Sequence, residues 1–152
     1  MKKALLLLSL LMLLSCKKAI VFHDVNTDFT QNQWQATDVK KFEFTIKKDI
    51  DAADIKLIFS HVYEPQYEAV PVSVTIENPV GEKENIYMRL QLKDSEGKDL
   101  SECSGDICDL STNLKEGVKL TKGTYKVSVE NKFAYAYLAN VLGVGISVER
   151  EN

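Results

Sequence analysis

Along most of this chain, apolar and polar residues alternate with a period of two. Phe42, Phe44 and Ile46 alternate with Lys41, Glu43, Thr45 and Lys47. Val72, Val74 and Ile76 alternate with Ser73, Thr75 and Glu77, and Ile86, Met88, Leu90 and Leu92 with Tyr87, Arg89, Gln91 and Lys93. Tyr125, Val127 and Val129 repeat the pattern, as do Val144, Ile146 and Val148, while Ile55, Leu57 and Phe59 lead into His61-Val62-Tyr63. Successive side chains of a strand point to opposite faces, so each pattern calls for an extended segment with one buried and one wet face. No segment keeps helical periodicity over three turns.

Turn chemistry separates the strands. Asn78-Pro79-Val80-Gly81, Asp94-Ser95-Glu96-Gly97 and Thr121-Lys122-Gly123 read as turns,. Ile20–Val25 adds an edge strand. Residues 132–141 are ambiguous, either a loop or one helical turn. Seven or more short strands at roughly regular spacing predict an all-β fold. The form expected is an antiparallel β-sandwich, immunoglobulin-like or jelly-roll-like, of about 7–9 strands.

The chain's 152 residues give room for one domain,. Its net charge of −3 lacks the basic excess of a nucleic-acid binder, so no nucleic-acid partner is expected,. Three Cys and two His are too few for a zinc ribbon or finger,. No G-x-S-x-G, P-loop, H-E-x-x-H or G-x-G-x-x-G occurs,. His23 and His61 lie far apart without a ligand pattern and read as structural. The acidic stretch 94–109 lacks the ligand order of an EF-hand and reads as a solvated turn and loop. No cofactor, no metal site and no enzymatic activity are expected.

The first sixteen residues follow a different rule. Met1-Lys2-Lys3 is basic, residues 4–14 are apolar but for Ser9, and Ser15 precedes Cys16. That is the plan of a secretory signal, and the apolar run is too short to span a bilayer. Leu13-Leu14-Ser15-Cys16 resembles the bacterial lipobox. The resemblance implies cleavage before Cys16, a diacylglyceryl thioether on its sulfur and an acyl chain such as palmitate on the new amino group. Several acyl chains together anchor a protein stably where one does not. The organisation expected is a lipoprotein signal over residues 1–15, the lipidated Cys16 with a tether over 16–30, and one sandwich domain over 31–152.

Cys103 and Cys108 remain. An exported compartment is oxidising, so a disulfide between them is expected. It closes a small ring and contributes about 2–3 kcal/mol. Phe133, Tyr135 and Tyr137 alternate with Ala134 and Ala136. If extended, that segment lines three rings on one face, a possible contact for a partner protein or a sugar.

The order of these pieces resembles the gliding-motility lipoprotein GldH family. After the lipobox come Asp28-Phe29 and Asn32-Gln33-Trp34, similar to that family's early Trp element. Phe42-x-Phe44-x-Ile46 resembles its first core strand, Tyr67 leads a strand as in the family, and Asn78-Pro79-Val80-Gly81 sits at its Pro–Gly turn. Its most distinctive stretch is matched by Leu92-x-Asp94-x-x-Gly97-Lys98 and then Ser104-Gly105-Asp106-Ile107. Gly123-x-Tyr125 and Val144-Gly145-Ile146-x-Val148-Glu149 match its last two strands. Two places depart. Asn131-Lys132-Phe133-Ala134-Tyr135 stands where the family has a Gln-Ala-Met-Arg-like element, and Cys103 and Cys108 replace residues that are usually not Cys.

The resemblance implies a non-enzymatic, lipid-anchored component of the gliding machinery. It would be held to the membrane through Cys16 and act through contacts with envelope proteins of a gliding or secretion machinery. Loops 98–110 and 131–142 are the contact regions expected. Lys17-Lys18-Ala19 lacks the acidic residues that resemble a surface-export tag in some gliding bacteria, which implies an outer-membrane protein facing the periplasm. The alternative is a carbohydrate-binding envelope lipoprotein that uses Phe133, Tyr135 and Tyr137 as a stacking platform.

Overall fold

The computed structural model describes residues 18–150. The signal segment and Cys16 lie outside the described residues. Within them the fold is all-β, with no α-helix and therefore no helix long and apolar enough to cross a membrane. The strands are β1 (Ala19–Asn26), β2 (Gln33–Gln35), β3 (Lys40–Ile46), β4 (Ile50–Val62), β5 (Ala69–Glu77) and β6 (Lys83–Gln91). They continue with β7 (Glu102–Ser104), β8 (Ile107–Leu120), β9 (Gly123–Asn131), β10 (Tyr137–Ala139) and β11 (Val141–Arg150). Among the described residues eight strands have seven residues or more, within the expected number; β2, β7 and β10 are three-residue additions.

Every pairing is antiparallel. One sheet has the order β1-β11-β4-β8-β7, the second β3-β9-β5-β6, and β10 pairs with β2 in a small third sheet. One core joins them, with Ile55, Leu57 and Phe59 of β4 and Val144, Ile146 and Val148 of β11 on one side. Phe42, Phe44, Val72, Val74 and Val127 stand on the other. These are the apolar positions of the period-two pattern, and the architecture is the expected sandwich. The Phe44 ring stacks on Tyr125 with centroids 5.2 Å apart and 5° between planes. Phe22 of β1 reaches the same ring from the other sheet, also at 5.2 Å. Aromatic pairs at such distances add about 0.5–1.5 kcal/mol beyond their burial. They close one side of the sandwich, and Lys115 of β8 and Glu84 of β6, 2.6 Å apart, face each other on the other.

One expectation needs correction, and one strand lay outside the expectations. The tether over residues 16–30 is much shorter, because Ala19–Asn26 is a strand that pairs with β11 from Ala19↔Arg150 to Asn26↔Val144. The edge strand expected over Ile20–Val25 and the tether competed for the same residues, and Phe22, packed against the core, decides for the strand. The strand that no expectation covered is β8, the longest. Its inward positions run Cys108, Leu110, Thr112 and Leu114, then shift across the exposed Glu116 and Gly117 to Val118 and Leu120, so its apolar alternation is interrupted. Pairing with β4 along nearly its whole length supplies what local pattern does not. The ambiguous segment 132–141 is a loop followed by β10, not a helical turn.

Between Ala53↔Val118 and Ile55↔Lys115 the register slips by one residue, a β-bulge,. Gly117 sits in it at φ +58°, a left-handed conformation that glycine adopts without steric cost,. Its N–H donates to Asp54 Oδ1 at 2.9 Å. The other Asp54 oxygen pairs with Lys18, the first described residue. Lys56, salt-bridged to Glu149 at 2.7 Å, lies close by. Asp54 is buried. The Lys18 hydrogen bond, helped by the Gly117 N–H and by the charges of Lys18 and Lys56, holds its carboxyl below the usual range although burial pushes the other way,.

A carboxyl with a lowered folded pKa stabilises the fold above its unfolded pKa of about 3.9, and that contribution is lost as pH falls through the folded value. Acidification below about pH 4 should therefore destabilise the wild type through this group. Asp54→Asn should cost roughly 1–2 kcal/mol at neutral pH, since the bond is charge-assisted but Lys18 is half in solvent,. It should also flatten that acid limb. Melting temperatures between pH 2 and 7 check both; equal slopes in the two proteins would refute the role of Asp54.

Candidate functional site

The sandwich has two distinct ends. At one end the chain enters at Lys18, the last strand finishes at Arg150, and tight turns at 47–49, 78–82 and 121–122 join successive strands. At the other end lie all the long connections: 27–39, 63–68, 92–106 and 132–140. The two expected contact loops, 98–110 and 131–142, therefore sit together at this loop end.

The small β2–β10 sheet caps the loop end. Trp34 and Leu138 are register partners, both buried in the core. Trp34 Nε1 donates to the Asp38 carbonyl at 2.7 Å, and the Phe29 ring meets the indole edge-on at 6.3 Å. Lys40, itself buried, donates to the Asp28 carbonyl at 2.9 Å, pairs with Asp38 at 2.7 Å and lies 4.2 Å from the Phe29 centroid. Asn131 Nδ2 donates to the Trp34 carbonyl at 2.9 Å while its Oδ1 accepts from the Phe133 N–H at 2.8 Å. One side chain so ties the 27–39 loop to the 132–140 loop.

The other two loops are tied as firmly. The Tyr63 N–H donates to the Asp106 carbonyl at 2.9 Å and the Leu92 N–H to the Glu68 carbonyl at 2.8 Å. Asp94 Oδ1 accepts the N–H groups of Glu96 and Lys98, each at 2.9 Å, closing the predicted turn,. His61 is buried; its Nδ1 lies 2.9 Å from the Val62 carbonyl and its Nε2 2.8 Å from Ser101 Oγ. A carbonyl only accepts, so Nδ1 donates to Val62, while Nε2 is hydrogen-bonded to the Ser101 hydroxyl,. The pair fastens the 92–106 loop to β4, in keeping with the structural reading of His61. Ser60 Oγ also bonds Asp109 across β4 and β8.

Cys103 and Cys108 are disulfide-bonded across the β7–β8 hairpin, where they are register partners. The bond fixes the turn at Gly105-Asp106 and with it the carbonyl that holds Tyr63. The sequence placed these cysteines in a loop; the structure makes them the two arms of a hairpin at the sheet edge.

Phe133, Tyr135 and Tyr137 do not share one extended segment. Residues 134–136 bend, and of the three rings only Tyr137 lies in a strand. Phe133 is half-buried and meets Tyr67 edge-on at 4.8 Å, with 68° between planes. Tyr135, 72% exposed, leans on Phe133 at 5.4 Å and 56°. Tyr137 is exposed. The result is a tilted aromatic cluster of Tyr67, Phe133 and Tyr135 rather than a flat row. Trp34 is in the core, and Tyr63 is in solvent.

Two further features mark this end. Tyr63, Leu100, Ile107, Tyr135 and Tyr137 are each more than two-fifths exposed, half of the large exposed apolar residues described. Gln31, Asn32, Glu64 and Asn140 have φ between 55° and 62°. These are the non-glycine residues with positive φ among the described residues, and all four lie in the loop end. Left-handed backbone costs a non-glycine residue about 1–3 kcal/mol, and such residues concentrate at functional sites. The sequence showed neither feature, since exposure and backbone strain are set by the hydrogen bonds between loops. Among the described residues no three His, Cys, Asp or Glu side chains come together as metal ligands, the acidic stretch 94–109 included.

A search of curated proteins gives no match. Among solved structures, dimeric latent PorU from Porphyromonas gingivalis is similar at 9% identity and a TM-score of 0.33, over 86% of this chain and 13% of that one. A structure of the infectious bursal disease virus Gx strain follows at 10% identity and a TM-score of 0.25, over 88% of this chain and 34% of that one. The chain thus spans a small part of either neighbour, and neither likeness carries an argument. The GldH lipoprotein family model matches residues 21–148, from the first strand to the last. That span holds the paired Trp34 cap, the Pro–Gly turn and both closing strands, and the chain belongs to the GldH lipoprotein family.

Proposed function

We propose that this gliding-motility-associated lipoprotein is a non-enzymatic component of the outer membrane facing the periplasm. It is anchored by lipids on Cys16 and uses its loop end to hold envelope proteins of a gliding or secretion machinery. The family match supports the envelope role. The observation that carries the contact reading is the gathering of Tyr63, Leu100, Ile107 and Tyr135 at one end, exposed on loops locked by hydrogen bonds and a disulfide. Exposed aromatic and aliphatic side chains on a rigid frame bind partners with little ordering cost. The Cys16 anchor rests on the lipobox alone. Residues 1–15 as signal and the sandwich as the single folded unit belong to the same reading.

Deleting the gene should abolish spreading on surfaces, and the intact chain should restore it. Cys16→Ala should not restore it. Tyr63→Ser/Ile107→Ser/Tyr135→Ser should fold with an unchanged melt and also fail to restore it. A secretion reporter scored alongside separates a gliding defect from an export defect. Full rescue by the triple variant would refute the loop end as the contact. The carbohydrate reading draws on the open faces of Tyr135 and Tyr137; glycan binding lost in folded Phe133→Ala/Tyr135→Ala/Tyr137→Ala would favour it instead.

A further inference from the structure

The end of the sandwich opposite the loops carries a second surface. An open cleft there is lined by Ile20 and Val21 of β1, Lys47 and Lys48 of the β3–β4 turn, and Arg150 at the end of β11. Ile20 is 68% exposed although it sits in a strand. Lys47, Lys48 and Arg150 have no carboxylate partner among the described residues, and no acidic residue lines the cleft. Asp49 accepts the Lys122 N–H at 2.7 Å, Asp51 faces Lys119 at 3.9 Å, and Asp54 holds Lys18. The cleft is thus apolar at its centre and cationic at its rim.

Chain length decides what meets it. Only Lys17 and Lys18 separate Cys16 from Ala19, the first residue of β1. Three residue steps reach at most about 10 Å, and a headgroup layer is about 5–7 Å thick. A lipid on Cys16 therefore holds Ala19, next to Ile20, within about 10 Å of the headgroup surface even with the linker fully extended, about one Debye length, so the basic rim stays inside the field of the membrane. We infer that the cleft formed by Ile20, Val21, Lys47, Lys48 and Arg150 rests on the anionic headgroup layer of the membrane that holds Cys16. The inference rests on the Cys16 lipid anchor proposed above. Basic side chains at that depth are attracted by anionic lipid, and Ile20 enters the interfacial region. The domain then stands upright. β4, with 13 residues, rises about 3.3 Å per residue and carries the loop end roughly 40 Å from the headgroups.

The test uses the mature chain purified with its lipids and reconstituted in vesicles of phosphatidylglycerol and phosphatidylethanolamine, or of phosphatidylcholine alone. Spin labels go on Ile20→Cys and, at the loop end, on Ala134→Cys. In anionic vesicles the Ile20 label should be roughly threefold less accessible to a water-soluble nickel reagent than in Lys47→Glu/Lys48→Glu, and raised salt should weaken the difference. The Ala134 label should stay fully accessible throughout. Equal accessibility of the Ile20 label with and without the charge reversal, in proteins with the same circular dichroism, would overturn the inference while leaving the anchor intact. A purified N-terminus that carries no lipid by mass and does not float with vesicles would overturn both.

Discussion

Trp34→Ala is expected to lower stability by about 3–5 kcal/mol, the range for truncating a fully buried Trp. That corresponds to roughly 9–20 °C in melting temperature for a domain of this size. The indole is 1% exposed and fills the space between Phe29 and the sandwich end. Removing it leaves a cavity and orphans the Asp38 carbonyl, which now accepts from Nε1,. The damage should be local before it is global. β2 and β10 pair over three residues only, so the cap depends on Trp34 and Leu138 being buried together. Hydrogen exchange should show lost protection at Gln33–Gln35 and Tyr137–Ala139 first. Trp34→Phe should recover a large part of the loss by refilling the cavity. A melt within a degree of wild type for Trp34→Ala would mean that the cap is not held by this side chain.

Gly145→Ala is expected to cost about 2–3 kcal/mol, near the upper range for overpacking, and Gly145→Val more. No conformational demand explains the glycine; the constraint is space. A Cβ at this position would lie 2.5 Å from the Asp24 carbonyl oxygen and 2.6 Å from Val25 Cγ2. Val25 is the register partner of Gly145, and its side chain also lies over Gly143, where a Cβ would be 3.0 Å from Val25 Cγ1. β1 must move away from β11 to admit any side chain. The expected signature is loss of exchange protection along Ala19–Asn26 with β4 and β8 unchanged, and a melting temperature lower by roughly 6–12 °C. For an anchored protein the functional result is a longer tether, because β1 is what keeps the domain close to Cys16. Unchanged protection of β1 in Gly145→Ala would show that the strand tolerates the approach.

The sequence by itself determined the fold class and most of the inward faces. Alternation at Phe42-x-Phe44-x-Ile46, at Val72-x-Val74-x-Ile76 and at Val144-x-Ile146-x-Val148 is a local property, and a strand's side-chain geometry translates it directly into burial. Turn chemistry at Asn78–Gly81 and Asp94–Gly97 was legible for the same reason, since the Asx hydrogen bonds span only a few residues. The family, too, could be read from the order of such local motifs. The leader and the lipobox at Cys16 lie outside the described residues and rest on composition and spacing alone.

The tertiary structure decided everything that depends on which segments meet. β8 is a strand because β4 pairs with it, not because its own pattern is clean. Ala19–Asn26 joins the sheet because Phe22 finds Phe44 and because two glycines of β11 leave room for Val25. Phe133 is fastened to Tyr67 from a distant loop, which turned an expected row of rings into a tilted cluster. The loop end, with its exposed Tyr63 and Ile107 and its left-handed Glu64 and Asn140, comes into being only when four connections far apart in the chain are gathered by the topology. Periodicity is written within a few residues; a surface is assembled from pairings between residues many positions apart, and those are selected by the burial of the whole core.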